Sequence, residues 1–358
     1  MSVNFHKLTI KEVRRETEDS VSLCFDLPAT LTESFRFTAG QHLTLRTELE
    51  GEDIRRNYSI CVAPDDGELR VAIKRIEGGA FSTWANSALA VGDNLDVMTP
   101  HGSFTWSFEE ARSATYVGFA GGSGITPILS LLKTALRAEP KSRFVLLYGN
   151  RSSNTIMFLE ELALLKNRYL DRLEVYHFLE DEEEEVELFN GRLDDQKVPE
   201  VLATLVPSSG IDAAFICGPG PMMDAVEQSL VQAGLPEARI LVERFTVGRK
   251  SASEEAAARV REREAEGRKV QVTLDGRKRS LAFDADKGSI LENARAAGLP
   301  APFACKAGVC ATCRAKLVTG EVHMNANYGL TADEVAQGYV LTCQAVPLSD
   351  DVVLDYDA

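Results

Sequence analysis

Apolar and polar positions alternate with a period of two through much of the first hundred residues. Val21, Leu23, Phe25 and Leu27 are separated by single intervening residues, as are Leu43 and Leu45, and then Leu69, Val71 and Ile73. Turn residues divide these runs at Ala39-Gly40, Asp65-Asp66-Gly67 and Gly78-Gly79. A period of two turns one face of a strand toward a core, so residues 1–110 predict a small antiparallel β-barrel or sandwich. From about residue 112 the pattern changes to short apolar runs at 116–119, 144–148, 175–178, 214–217 and 240–242. Helix-period segments lie between them, carrying Ile128, Leu129, Leu131, Leu132 and Leu136, then 156–165, then 222–230. Strand and helix in alternation predict an α/β domain with a parallel sheet over 111–247.

Residues 249–268 are rich in Ala, Glu and Arg and nearly lack large apolar side chains. Such a stretch has no face to bury, so 248–268 is expected to be a linker, helical or disordered. Alternation resumes with Val270, Val272 and Leu274 up to an Asp275-Gly276 hairpin turn. Ser289 and Glu292 have the spacing of a helix capping box, and further strands are expected near 315–318, 340–342 and 352–354. Residues 269–358 thus form a third module. At 358 residues, two or three domains is also what chain length predicts.

Composition narrows the function classes. A net charge of −15 argues against nucleic-acid binding, because nothing offsets the repulsion from phosphates. The most apolar stretch, 116–136, is broken by four glycines, a proline and Lys133, which argues against a membrane span. Without an amino-terminal secretory pattern a cytoplasmic location is expected, where disulfides are rare. The seven cysteines therefore need another role, and four of them fall in the last 54 residues.

Cys305, Cys310 and Cys313 are spaced C-x4-C-x2-C, and Cys343 follows after 29 residues. This is the spacing of plant-type [2Fe–2S] ligands. Two bridged irons need four thiolates arriving from different sides, and a loop of small residues (Ala307, Gly308, Ala311, Thr312) can wrap them with its N–H groups free to meet sulfur. A structural zinc site usually takes two separated Cys-x-x-Cys pairs, and only one short pair is present. Buried packing suffices for Cys24 and Cys61.

Two further segments carry glycines before a helix start. Arg56-Asn57-Tyr58-Ser59 is followed by Lys74 and by Gly78-Gly79-Ala80-Phe81-Ser82-Thr83, where Ser82 and Thr83 could cap a phosphate-binding helix terminus. Gly121-Gly122-Ser123-Gly124-Ile125-Thr126-Pro127 joins an apolar strand to an amphipathic helix, with Thr126 expected as N-cap and Pro127 as the first helical residue. Pro127 stands where the usual dinucleotide fingerprint has its third glycine. Cys217-Gly218-Pro219-Gly220 ends a strand at the edge where parallel sheets bind ligands. After the second strand, Arg151 with Ser152 and Ser153 suits a ribose 2′-phosphate, and no acidic residue adjoins it in sequence, so NADPH is expected over NADH.

Together these motifs resemble the ferredoxin–NADP reductase superfamily. The likeness spans essentially the whole chain for the reductase components of multicomponent oxygenases, through R-N-Y-S, G-G-A-F-S-T, Y-G-N-R, C-K-A-G-V-C-A-T-C and Y-V-L-T-C-Q-A. The resemblance implies a flavin barrel, a nucleotide domain and a β-grasp ferredoxin domain of α+β class. It implies FAD held by Arg56, Tyr58, Ser59, Lys74, Gly79, Phe81, Ser82 and Thr83, with Tyr58 on the isoalloxazine and Ser59 near flavin N5. It implies nicotinamide nucleotide held by Gly122, Gly124, Thr126, Pro127, Arg151, Gly218 and Pro219, with Phe245 shielding the flavin. Catalytic roles fall on Ser59, Cys217 and Glu243, and cluster ligation on Cys305, Cys310, Cys313 and Cys343. Lys306 stands where many plant-type ferredoxins have arginine. The implied recipient is a di-iron oxygenase that epoxidises the ring of phenylacetyl-CoA. A different ring-hydroxylating oxygenase and a redox sensor without turnover are the alternatives.

Overall fold

The computed structural model describes residues 5–245 and 252–358. Residues 1–4 and 246–251, which hold the start of the expected barrel and the entry to the expected linker, lie outside the described residues. Strands β1 (Phe5–Thr17), β2 (Ser20–Asp26), β3 (His42–Leu49), β4 (Glu52–Ser59), β5 (Leu69–Lys74) and β6 (Asn94–Met98) form one sheet in the order β4-β3-β6-β1-β2-β5. Just beyond β4, Ile60 bridges to Val71 of β5 and Cys61 N donates to Arg70 O at 3.0 Å, so the two edge strands meet and the sheet closes. Leu8, Ile10, Val21, Leu23, Leu43, Leu45, Val71, Ile73 and Phe81 fill its interior. The alternation in β2 is hidden, since Ser22 and Cys24 on its polar face are also fully buried. Arg70 lies across that face, held by Glu12 at 2.5 Å, Glu68 at 2.9 Å and Ser22 at 3.1 Å.

Strands β7 (Thr115–Gly121), β8 (Arg143–Asn150), β9 (Leu173–Leu179), β10 (Ala213–Cys217) and β11 (Ile240–Glu243) form a parallel sheet in the order β11-β10-β7-β8-β9. Helices α2 (Ile125–Ala138), α3 (Leu159–Arg168), α4 (Lys197–Thr204) and α5 (Gly220–Gln232) alternate with these strands, while α1 (Ala80–Ser87) belongs to the barrel. The order in which strands are added reverses between β7 and β10, a switch point that opens a crevice at their carboxyl ends. Barrel and parallel sheet belong to one compact unit, Phe5–Ile54 with Tyr58–Arg244. Ser130 Oγ donates to Val62 O at 2.6 Å, and Asp66 accepts from Lys133 at 2.5 Å and Arg137 at 2.6 Å. Lys133 is nearly buried and also reaches Glu161 at 2.8 Å. Removing one partner of such a buried pair costs about 3–5 kcal/mol, so the two sheets are held in register.

The second unit covers Phe245–Ala358 and also takes in Arg55–Asn57 of β4. Strands β12 (Lys269–Leu274), β13 (Arg277–Ala282), β14 (Arg314–Thr319), β16 (Tyr339–Leu341) and β18 (Val352–Asp355) form a mixed sheet in the order β13-β12-β18-β14-β16, and β15 (Val322–Met324) pairs with β17 (Ala345–Pro347). Asp275 and Gly276 both have positive φ, as the expected hairpin turn requires. Helix α7 (Ile290–Ala296) sends Ile290, Leu291 and Ala294 into the core. Ser289 caps it at Glu292 N, but the Glu292 carboxylate turns to Lys306 at 2.8 Å instead of completing the box. The complete box is at α8 (Ala332–Ala336), between Thr331 and Glu334. The described part of the expected linker is helix α6 (Ala252–Glu264). Its Ala258 is buried, Arg261 reaches Asn325 at 2.9 Å, and the following Ala265 enters the core. Small alanines, not large apolar residues, make this seam, which is why the composition hid it. Among the described residues no helix is long and apolar enough to cross a membrane.

Candidate functional site

The barrel end carrying β4 presents a buried hydroxyl with nothing to bond. Ser59 is 1% exposed, and its Oγ has no hydrogen-bond partner among the described residues. Burying such a group unpaired costs about 1–3 kcal/mol, so an orphan here fits a bound polar molecule. Tyr58 precedes it, with its ring centroid 5.5 Å from that of Phe81. Phe81 sits in the first turn of α1, whose N-cap is Gly79 with no side-chain cap. The capping expected of Ser82 is not made. Its Oγ accepts from Ile76 N at 3.1 Å and donates to Gly79 O at 3.2 Å, tightening the turn and leaving the terminal N–H groups of α1 uncapped by side chains. Thr83 is exposed in the same turn. Those free amides and the positive helix end suit the phosphates of FAD. Arg56 lies on β4, where Nη1 donates to Arg55 O at 2.8 Å, and Lys74 ends β5 at 3.7 Å from Asp19.

The crevice between β7 and β10 is shaped by what its glycines lack. A Cβ on Gly124 would run into the carbonyl of Cys217, and one on Gly218 would lie 3.0 Å from Gly121. Gly122 has φ +51°, so the chain turns sharply from β7 into α2. Helix α2 starts at Ile125 with Gly124 as N-cap, not at Thr126. Thr126 Oγ1 instead donates to Ser123 O at 3.0 Å, and Pro127 stands in the first turn. Backbone close approach replaces the side-chain cap, and the cradle it leaves matches a pyrophosphate. Gly124→Ala is expected to cost about 1–3 kcal/mol through overpacking, read as a lower urea midpoint, and to weaken nucleotide binding in a fluorescence titration.

Cys217 ends β10 opposite Glu243 of β11, and Gly218-Pro219 leads into α5. Burial, and next the charge of Glu243, push the thiol well above its usual value, so it is a neutral thiol and not a nucleophile. Glu243 lies 3.7 Å from Nδ1 of His42, a residue that sequence reasoning missed. His42 is 5% exposed, neither ring nitrogen has a hydrogen-bond partner among the described residues, and its ring stands 4.2 Å from that of His101. Burial lowers its pKa well below the ordinary imidazole value, so the contact with Glu243 joins a carboxylate to a neutral ring. Ile60 N donates to Gln41 O at 2.9 Å, so His42 and Ser59 lie on adjoining strand ends. No motif announces His42; only pairing across strands places it. Phe245, half-buried, follows two residues after Glu243.

Arg151 is exposed beyond β8, outside the crevice that the glycines shape. The expectation that no acid adjoins this turn needs correction. Glu182, from beyond the next strand, accepts from Ser153 N at 2.9 Å and from Ser153 Oγ at 3.0 Å. The separation of 29 residues hid it.

In the second unit Cys305, Cys310 and Cys313 share one loop before β14, and Cys343 follows β16. Cys305 N points at Cys310 Sγ at 3.5 Å and Ala307 N at Cys305 Sγ at 3.3 Å, while Cys310 Sγ lies 3.2 Å from Thr312 Oγ1. Gln344 Nε2 lies 3.9 Å from Cys343 Sγ. Lys306 and Ala311 have φ of 54° and 53°, and Gly308 has +78° with no room for a Cβ beneath Ala326 O. Non-glycine residues hold such angles only where surroundings force them, here a wrap around an enclosed centre. Four thiolates with backbone N–H groups directed at sulfur are the donor set that a 2Fe–2S cluster would need.

The chain matches three known families in order. Residues 7–106 match the oxidoreductase FAD-binding domain, 119–228 the oxidoreductase NAD-binding domain, and 272–348 the 2Fe-2S iron-sulfur cluster binding domain. It is 44% identical over 357 residues to one of the subunits of the 1,2-phenylacetyl-CoA epoxidase of Escherichia coli K12, covering 99% of this chain and 98% of that protein. The 3-ketosteroid-9-alpha-monooxygenase ferredoxin reductase component of Rhodococcus rhodochrous is 32% identical, with 98% and 96% covered. The solved phthalate dioxygenase reductase superposes with a TM-score of 0.60 at 24% identity over 98% of both chains, a likeness of fold.

Proposed function

The chain belongs to the ferredoxin–NADP reductase superfamily, among the oxygenase reductases with a carboxyl-terminal plant-type 2Fe–2S domain, and from that premise we propose that it reduces the di-iron oxygenase that epoxidises phenylacetyl-CoA, in the cytoplasm, during phenylacetate degradation. It is an oxidoreductase that uses a nicotinamide nucleotide, FAD and a 2Fe–2S cluster to supply an oxygenase. When bound, these groups supply hydride acceptance at the flavin and one-electron carriage at the cluster. The protein's own part is to hold them and to keep water out.

On this reading the uncapped start of α1 receives flavin phosphates, Tyr58 packs on the ring and Ser59 offers its unpaired hydroxyl to it. The Gly122–Gly124 turn receives the nucleotide pyrophosphate at the start of α2. Cys217, neutral and fully buried, lines the nicotinamide side of the crevice, with Glu243 and His42 behind it. Cys305, Cys310, Cys313 and Cys343 would hold the 2Fe–2S cluster.

The observation that carries the choice of oxygenase is the 44% identity, end to end, with that component of the epoxidase. The test is reconstitution with the purified catalytic components of a phenylacetyl-CoA epoxidase. The expected result is nucleotide-dependent epoxidation that stops when the reductase is omitted. Failure with the epoxidase together with turnover by a Rieske-type dioxygenase would reassign the partner. Failure to reduce cytochrome c under either nucleotide would remove the reductase role altogether.

A further inference from the structure

The carboxyl ends of β8 and β9 carry polar groups that the protein leaves unsatisfied. Asn150, the last residue of β8, is 5% exposed, and beyond its approach to the Tyr148 hydroxyl neither its Oδ1 nor its Nδ2 makes a hydrogen bond among the described residues. His177 of β9 has a buried Nδ1 in the same state, and its ring lies 5.8 Å from that of Tyr148. Buried groups without partners at the carboxyl edge of a parallel sheet point to a polar ligand.

The donors of Ser153, beside these groups, are in contrast already taken. Glu182 Oε1 accepts from both Ser153 N and Ser153 Oγ, at 2.9 and 3.0 Å. Backbone bonds bring the acid there. Glu180 N donates to the carbonyls of Asn150 and Arg151, both at 3.1 Å, and Asp181 N donates to Arg151 O at 2.8 Å. Pairing of the two chain segments thus continues beyond the strands and ends by setting a carboxylate on Ser153. Glu180 is itself anchored by Arg192 at 2.9 Å.

We propose that Glu182 is a specificity-determining residue that disfavours a 2′-phosphate on the adenosine ribose of the donor nucleotide. This rests on the reading that residues 119–228 bind a nicotinamide nucleotide with its adenosine end at the β8 turn. A phosphate there carries nearly two negative charges and must displace or face the carboxylate to reach Ser153. A free 2′-hydroxyl is neutral and donates to the same oxygen. Arg151 pulls the other way, but it is exposed, whereas Glu182 is held by two hydrogen bonds. The acid sets how much of the arginine's attraction reaches a phosphate.

The test is calorimetric titration of the full-length holoprotein with 2′,5′-ADP and with 5′-AMP, for the wild type, Glu182→Gln and Glu183→Gln. Glutamine keeps an acceptor for Ser153 and removes the charge. The expected result for Glu182→Gln is 2′,5′-ADP binding tighter by about five- to tenfold, with 5′-AMP changed less than about twofold. The ratio of kcat/KM for NADPH over NADH moves the same way. Glu183→Gln, one residue further along the same acidic loop, leaves the ratio of the two affinities in place. Equal shifts for both probes, no shift, or the same shift in Glu183→Gln would overturn the assignment. Wild-type protein that binds neither probe and no NADH would instead overturn the nucleotide-site reading beneath it.

Discussion

Cys305→Ser is expected to abolish the visible iron–sulfur absorption while leaving a flavin that the nicotinamide nucleotide still bleaches. Cys305 is the substitution that isolates ligation. Cys313 and Cys343 belong to the core of the second unit and Cys310 is 5% exposed, so changing those removes packing as well. Cys305 is half-buried and outside that core. Loss of one thiolate leaves three of the four ligands, and metal sites of this kind lose binding free energy that also stabilises the surrounding fold. Cytochrome c reduction is expected to fall by about a hundredfold or more, because the one-electron carrier is gone. Ferricyanide, which takes electrons from the flavin, is expected to be reduced at close to the wild-type rate. An intact cluster spectrum with wild-type cytochrome c activity would remove Cys305 from the ligand set. Loss of both activities together would show that the cluster unit governs the folding of the flavin unit.

Ser59→Ala is expected to slow nucleotide-driven flavin reduction by about 10²-fold, the usual effect of removing one preorganised hydrogen-bonding group from a reacting centre. Its effect on the protein without flavin has the opposite sign. The Ser59 hydroxyl is buried with no partner among the described residues, so deleting it removes an unsatisfied polar group and is expected to hold or raise the stability of the apoprotein by about 1 kcal/mol. Slower reduction in stopped flow, with an unchanged or higher urea midpoint, identifies a group held in place for the cofactor. A hydroxyl that served only the fold would show the reverse, lower stability with an unchanged rate.

Gly124 and Glu182 show two different limits of linear reading. The Gly121–Gly124 turn is evident from its glycines, but local pattern gives Thr126 a capping role that Gly124 takes. A side chain at residue 124 would meet the carbonyl of Cys217, more than ninety residues away in sequence, and local reasoning has no view of that wall. Glu182 stands in a run of acids that resembles an ordinary solvated loop. Only the pairing of β8 with β9 sets one of them on Ser153. The expected linker is helical where it is described, but its buried alanine seam and the open first capping box were hidden for a related reason. Burial of Ala258 and Ala265 depends on a close-packed neighbour, and Glu292 leaves its expected bond because Lys306 comes within reach.

What the amino-acid sequence determined alone was whatever local chemistry dictates within a few residues. The alternation that marks β2, β3 and β5, the apolar runs of the parallel sheet, the Asp275-Gly276 turn and the spacing of Cys305, Cys310 and Cys313 are all of that kind, because period, turn angle and loop reach are short-range properties. What tertiary structure decided was every feature made by groups distant along the chain. It closed the barrel through Ile60 and Val71 and set His42 against Glu243. It also left the Ser59 hydroxyl buried without a partner among the described residues. An unsatisfied atom exists only once all its neighbours are in place, so no local pattern can announce it.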